Sequence, residues 1–182
     1  MIFVEHCAKC LLTCCSPDVQ WNLNGRGKAR GLGVRVGLTI DDYPNRNTTV
    51  EDAHSLVKVL ADRRAKATFF VFVVNPNFDE IVRVLLKHGH ELAIHYQGRW
   101  GFCKSTSEYV NQAQKLKRRI RSAVGSEFVP RHVRPPGGCI CPESAASLKA
   151  RSGLSTAIGT AYSFDADLCA ATGPALQAQT AA

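Results

Sequence analysis

Short apolar runs alternate with helical patterns along most of this chain, and that alternation constrains the fold more than any single residue does. Asp18–Leu23 has the character of a short strand, and Asn24-Gly-Arg-Gly27 is turn chemistry. Val34–Ile40 alternates and then runs apolar, as a strand does. Thr48-x-x-Glu51 reads as a capping box, and Val50, Ala53, Leu56, Val57 and Leu60 then recur at helical spacing. Ala67–Val74 (ATFFVFVV) is continuously apolar, the mark of a strand covered on both faces. Asn77-x-x-Glu80 opens a helix through Leu86 that stops near Gly89. Glu91–Ile94 is a short strand ending in His95. After a loop, Ser107–Val124 places Val110, Ala113, Leu116, Ile120 and Ala123 on one helical face, with a basic face opposite. Phe128–Val133 reads as a strand running into Arg134-Pro-Pro-Gly-Gly138. Pro142–Arg151 is a short helix closed by Gly153, and Leu154–Tyr162 is the last strand, ending near Asp165.

Strands joined through helices imply an α/β fold with a parallel sheet and helices outside it, either an open sheet or a barrel. A chain of 182 residues suits one domain with a sizeable core. In both architectures function gathers at the carboxyl ends of the strands. There the sequence places Asp41 and Asp42, Asn75, His95, Arg134, and Asp165 with Asp167. Each has an ordinary alternative. Asp-Asp-Tyr-Pro is also good turn chemistry, a lone histidine after a strand is more often packed than ligating, and Arg-Pro-Pro-Gly-Gly is also a rigid loop. Their recurrence at successive strand ends gives them joint weight. Two carboxylates and an imidazole on one rim suit a divalent cation and a general base.

The net charge of +8 comes from 23 Lys and Arg against 15 Asp and Glu, clustered at Arg26–Arg35, Arg63–Lys66 and Lys115–Arg121. Such a surface favours anionic partners, but no nucleic-acid motif accompanies it, and solvated helix faces are the plainer reading. Four of the eight cysteines fall in the first fifteen residues, MIFVEHCAKCLLTCC. Glu5, His6 and Lys9 interrupt that stretch, so it lacks the form of a secretory leader. A reducing compartment, the cytoplasm by default, is the resulting expectation. Cys7-x-x-Cys10 with His6, Cys14 and Cys15 lacks the second pair of a zinc finger. No run reaches membrane-spanning length, and a monomer is expected. Residues 1–17 and 170–182 read as tails, leaving 18–169 as the folded part.

The order of the motifs resembles the polysaccharide deacetylases, the family defined by the NodB homology domain. Thr39-Ile-Asp-Asp-Tyr-Pro44 is similar to the family's first motif, T-F-D-D-G/A-P. Ala67-Thr-Phe-Phe70, Gly89-His-Glu-Leu-Ala-Ile-His95 and Arg134-Pro-Pro-Gly-Gly138 follow in the family's order. Gly159-Thr-Ala-Tyr-Ser-Phe-Asp165 resembles a stretch of a eukaryotic branch. The resemblance implies a distorted, incomplete (β/α) barrel. It implies metal-assisted hydrolysis of an N-acetyl, sometimes O-acetyl, group on an oligo- or polysaccharide such as chitin, with zinc as the usual metal. By match, Asp41 would be the base and Asp42 and His95 metal ligands. Arg134 would position the base, and Asp165 would pair near it. Tyr43, Pro136, Gly137 and Tyr162 would line the substrate cleft, Tyr43 at its mouth.

Two departures from the family's pattern stand out. Its second motif is H-x-x-x-H or H-x-x-x-D, but four residues after His95 stands Arg99, and a guanidinium cannot ligate a metal. Cys103 or Glu108 could stand in, though spacing favours neither. The family also ends in a further strand–helix unit with a catalytic histidine, whereas no histidine follows His132 here. The barrel is therefore expected to lack that last unit. The competing expectations are a deacetylase of impaired activity and a degenerate homologue that binds glycans without turnover.

Overall fold

A computed structural model describes residues 37–96, 105–135, 138 and 140–158, together with the backbone of 19–20. Six strands and four helices occur in these residues. In chain order they are β1 (Val19–Gln20), β2 (Leu38–Asp41), α1 (Val50–Asp62), β3 (Ala67–Val71), α2 (Phe78–Lys87), β4 (Glu91–His95), α3 (Thr106–Val124), β5 (His132–Arg134), α4 (Pro142–Ser152) and β6 (Ser155–Ala157). All strand pairs are parallel, in the order β1-β6-β5-β4-β3-β2. The expected (β/α) alternation and its incomplete barrel are present.

Strand alternation divides the apolar residues between two faces. Phe69 and Val71 of β3, Leu92 and Ile94 of β4 and Val133 of β5 join one large core with the buried sides of the helices, including Val57, Ile81, Leu85, Ile120 and Leu148. The opposite, inner face carries Thr39 and Asp41 of β2, Phe70 of β3, Ala93 and His95 of β4, Arg134 of β5 and Ala157 of β6. Phe70, Ala93 and Ala157 form a small apolar cluster there. This face, at the carboxyl ends of the strands, holds the charged side chains.

Several boundaries differ from the sequence expectation, each for a local reason. The capping box of α1 is Thr49 with Asp52, one residue beyond Thr48 and Glu51. Thr48 is buried, and its hydroxyl accepts from the Asn45 N–H instead. Asn77 precedes α2 without a side-chain cap; the side-chain Oδ1 of Asn75 accepts from the Asn77 N–H. Helix α3 starts at Thr106 because Ser105 and Glu108 form a reciprocal cap. Strand β3 ends at Val71, short of Val74. Strand β5 is His132–Arg134 rather than Phe128–Val133, since Pro130 has no N–H for a ladder. Strand β6 is Ser155–Ala157; the rest of the expected Leu154–Tyr162 beyond Ile158 lies outside the described residues. So do the two tails. Gly153 closes α4 with φ +70, the left-handed cap that glycine adopts without strain. Among the described residues no helix is long and apolar enough to cross a membrane.

Candidate active site

Three strand ends on one rim of the sheet build the site. Asp41 is the last residue of β2, His95 the last of β4, and Arg134 the last of β5. The register sets His95 directly beside Arg134, and Asp41 opposite Phe70 of β3. Asp41 and Arg134 belong to strands three steps apart, about 14 Å in a flat sheet. Their side chains nevertheless meet, with Arg134 Nη1 donating to Asp41 Oδ1 at 2.6 Å. The arginine thus lies along the inner face, its Cζ 3.9 Å from the centroid of the Phe70 ring. Nη1 also donates to Thr39 Oγ1 at 3.0 Å, and Nε donates to the Ala157 carbonyl at 3.2 Å.

Adjacent strand residues normally face opposite sides, so Asp41 and Asp42 would not converge in a regular strand. Asp42 has φ +56, a left-handed backbone that aspartate tolerates better than most residues. That turn brings both carboxylates to the imidazole. Asp41 Oδ2 lies 3.7 Å and Asp42 Oδ1 3.6 Å from His95 Nε2. Asp42 is the outer of the two, its side chain 73% exposed against 33% for Asp41.

His95 is buried, and its Nδ1 stands 3.1 Å from the Arg134 carbonyl oxygen. A carbonyl can only accept, so the proton sits on Nδ1 and the lone pair of the neutral ring is on Nε2, facing the aspartates. This is the orientation that a ligating histidine needs. Two donors on one tetrahedral zinc stand about 3.3 Å apart, which the pair Asp42 Oδ1 and His95 Nε2 approaches. Among the described residues, no group of three or more His, Cys, Asp and Glu side chains is arranged to hold a metal. The donor pair fits two corners of a metal site, and no third donor joins it within those residues.

Burial pushes the Asp41 carboxyl above its ordinary value, against the lowering pull of Arg134 and His95. A carboxylate held by a guanidinium on one oxygen, with the other facing an imidazole, can exchange a proton at that second oxygen. The chemistry within reach is therefore proton abstraction from a water beside a cation.

Asn75, also expected at the rim, works as a clamp. It is buried, and Nδ2 donates to the carbonyls of Asn45 and Thr48, tying down the loop that follows Asp42. Tyr43, expected at the mouth of the cleft, turns the other way. Its ring packs on Phe69 with centroids 5.3 Å apart, and its hydroxyl is buried. Burial pushes that phenol up to about 12. The apolar wall beside a ring at that position draws it into the core. Glu108, weighed as a substitute ligand, is spent on the cap of α3. Pro136, Gly137, Tyr162, Asp165, Asp167, Arg99 and Cys103 lie outside the described residues. Thr39 and Phe70 gained no role from the sequence. The only signal was their two-residue spacing from Asp41 and from Thr68, which fixes their face of the sheet.

The profile of the polysaccharide deacetylase family matches residues 30–155. A search of curated proteins finds no match. Among solved structures, the chain is 28% identical to the peptidoglycan deacetylase PdaC from Bacillus subtilis, covering 67% of this chain and 56% of that one, with a TM-score of 0.52. It is 23% identical to a family 4 carbohydrate esterase from Streptomyces lividans solved with acetate, covering 70% and 64%, with a TM-score of 0.56. BA3943 from Bacillus anthracis, described as a CE4 family pseudoenzyme, is 20% identical over 67% of this chain and 42% of its own, with a TM-score of 0.52. The chain spans less than two thirds of each of these proteins.

Proposed function

The chain belongs to the polysaccharide deacetylase family, and from that premise we propose that it hydrolyses acetyl groups from N-acetylated oligo- or polysaccharides. The observation that carries this reading is the convergence of Asp41, Asp42, His95 and Arg134 from three strand ends. Asp42 and His95 would hold a divalent cation, zinc by family habit, whose chemistry polarises the acetyl carbonyl and makes water more acidic. Arg134 orients Asp41 through Oδ1, which leaves Oδ2 to take a proton from the attacking water. The proton then held on Asp41 is available to the sugar nitrogen as the amide C–N bond breaks, releasing acetate and a free amine. The Nδ1–H bond of His95 to the Arg134 carbonyl keeps Nε2 turned to the cleft.

Glycan binding without turnover is the second reading. Arg99 favours it, a permanently protonated side chain at the sequence position where the family carries a metal ligand. Zinc content by elemental analysis, on the wild type and on Arg99→His, separates the two. About one zinc per chain in the wild type, with acetate release from N-acetylglucosamine oligomers, supports the hydrolase. Zinc in the Arg99→His variant alone supports the binder.

A further inference from the structure

We propose that Thr39 and Phe70 are positioning residues that seat the Arg134 guanidinium and so fix the direction of the Asp41 carboxylate. An arginine side chain has many rotamers, and one reaching across an open inner face would sample several of them. Arg134 is instead held on three sides before it meets Asp41. Its Nε donates to the Ala157 carbonyl of β6, one hydrogen of Nη1 goes to Thr39 Oγ1 of β2, and its plane lies over Phe70 of β3. The remaining hydrogen of Nη1 is the one that meets Asp41 Oδ1. Thr39 and Asp41 are two residues apart on the same strand face, so one nitrogen bridges both and cannot swing to Asp42 without giving up the threonine. Phe70 is completely buried and clusters with Ala93 and Ala157, which makes it a confined platform. A cation over an aromatic ring in a desolvated setting is attractive as well as confining.

The inference rests on the reading of Asp41 as the base, but its test does not need turnover. In protein carrying ¹⁵N-arginine, a seated guanidinium gives resolved Arg134 side-chain N–H signals, shifted by the Phe70 ring current and slow to exchange with water. Thr39→Val keeps the shape and removes the acceptor; Phe70→Leu keeps the bulk and removes the ring. Both are expected to collapse the resolved signals, and Thr39→Ser, which returns a hydroxyl, to recover them. In the acetate assay Thr39→Val lowers kcat about tenfold with KM little changed, the size of one hydrogen bond to a charged group. Unchanged Arg134 signals in folded Thr39→Val and Phe70→Leu overturn the inference. Failure of Thr39→Ser to recover them also overturns it, since any change at residue 39 would then have the same effect. If the signals behave as expected while the wild type releases no acetate, the seat stands and the hydrolase reading falls.

Discussion

At the scale of single residues, the histidines show how burial and one hydrogen bond decide a role. His95 gives its Nδ1 proton to a carbonyl and turns a lone pair to the cleft. His90 does the reverse, accepting the Ala67 N–H at Nδ1 while its ring sits edge-on to Phe69. Protonating His90 would cost that hydrogen bond. Burial, Lys66 and His88 all lower its tendency to charge from the ordinary 6.5. The unfolded chain then binds this proton more readily than the folded one. Stability from His90 is fully present above pH 6.5 and is lost as pH falls through 6.5 toward the lower folded value. Thermal melts between pH 7.5 and 5.5 should therefore show a decline that is shallower in His90→Gln. Equal slopes in the two proteins would assign the decline to other groups. The sequence already separates these two histidines by their places at opposite ends of the same strand; the structure adds the partner of Nδ1, which comes from another strand in each case.

At the scale of elements, caps and prolines set the boundaries. Thr48-Thr-Val-Glu-Asp52 offers two overlapping boxes, Thr48 with Glu51 and Thr49 with Asp52. The sequence cannot choose between them, because the choice depends on whether Thr48 is buried. It is, under the Asn45 turn and the Asn75 clamp, so Thr49 caps α1. Replacing Thr49 by Ala should cost about 1 kcal/mol in chemical denaturation. Glu51→Ala, on an exposed position, should stay within about 0.5 kcal/mol. The opposite ranking would restore the other box. Helices α1 and α3 were readable from their periodicity, and α2 and α4 from the residues that open and close them. The strands were readable in place but not in length, since β5 depends on Pro130 and β3 on where its neighbours stop pairing.

At the scale of the whole molecule, the sheet order brings the candidate site together. Its first strand pairs with its last, β1 with β6, and β2 stands at the far edge. A strand–helix alternation predicts parallel pairing and a cluster of polar side chains at the carboxyl ends, and both are present. It does not say which strands neighbour each other, nor that Arg134 reaches Asp41 across the two strands between. The motifs named Asp41, Asp42, His95 and Arg134, and the fold brings these four together. The resemblance also placed Tyr43 at the mouth of the cleft, whereas its ring packs against Phe69.

The central claim is that the Arg134-held Asp41 carboxylate makes this rim a hydrolytic site. Acetate release from N-acetylglucosamine oligomers, with zinc supplied, tests it most directly when wild type and Asp41→Asn are run side by side. The account predicts release by the wild type and a fall of at least about 10²-fold in the variant. Equal rates in the two proteins, or no release above buffer by either, would contradict it.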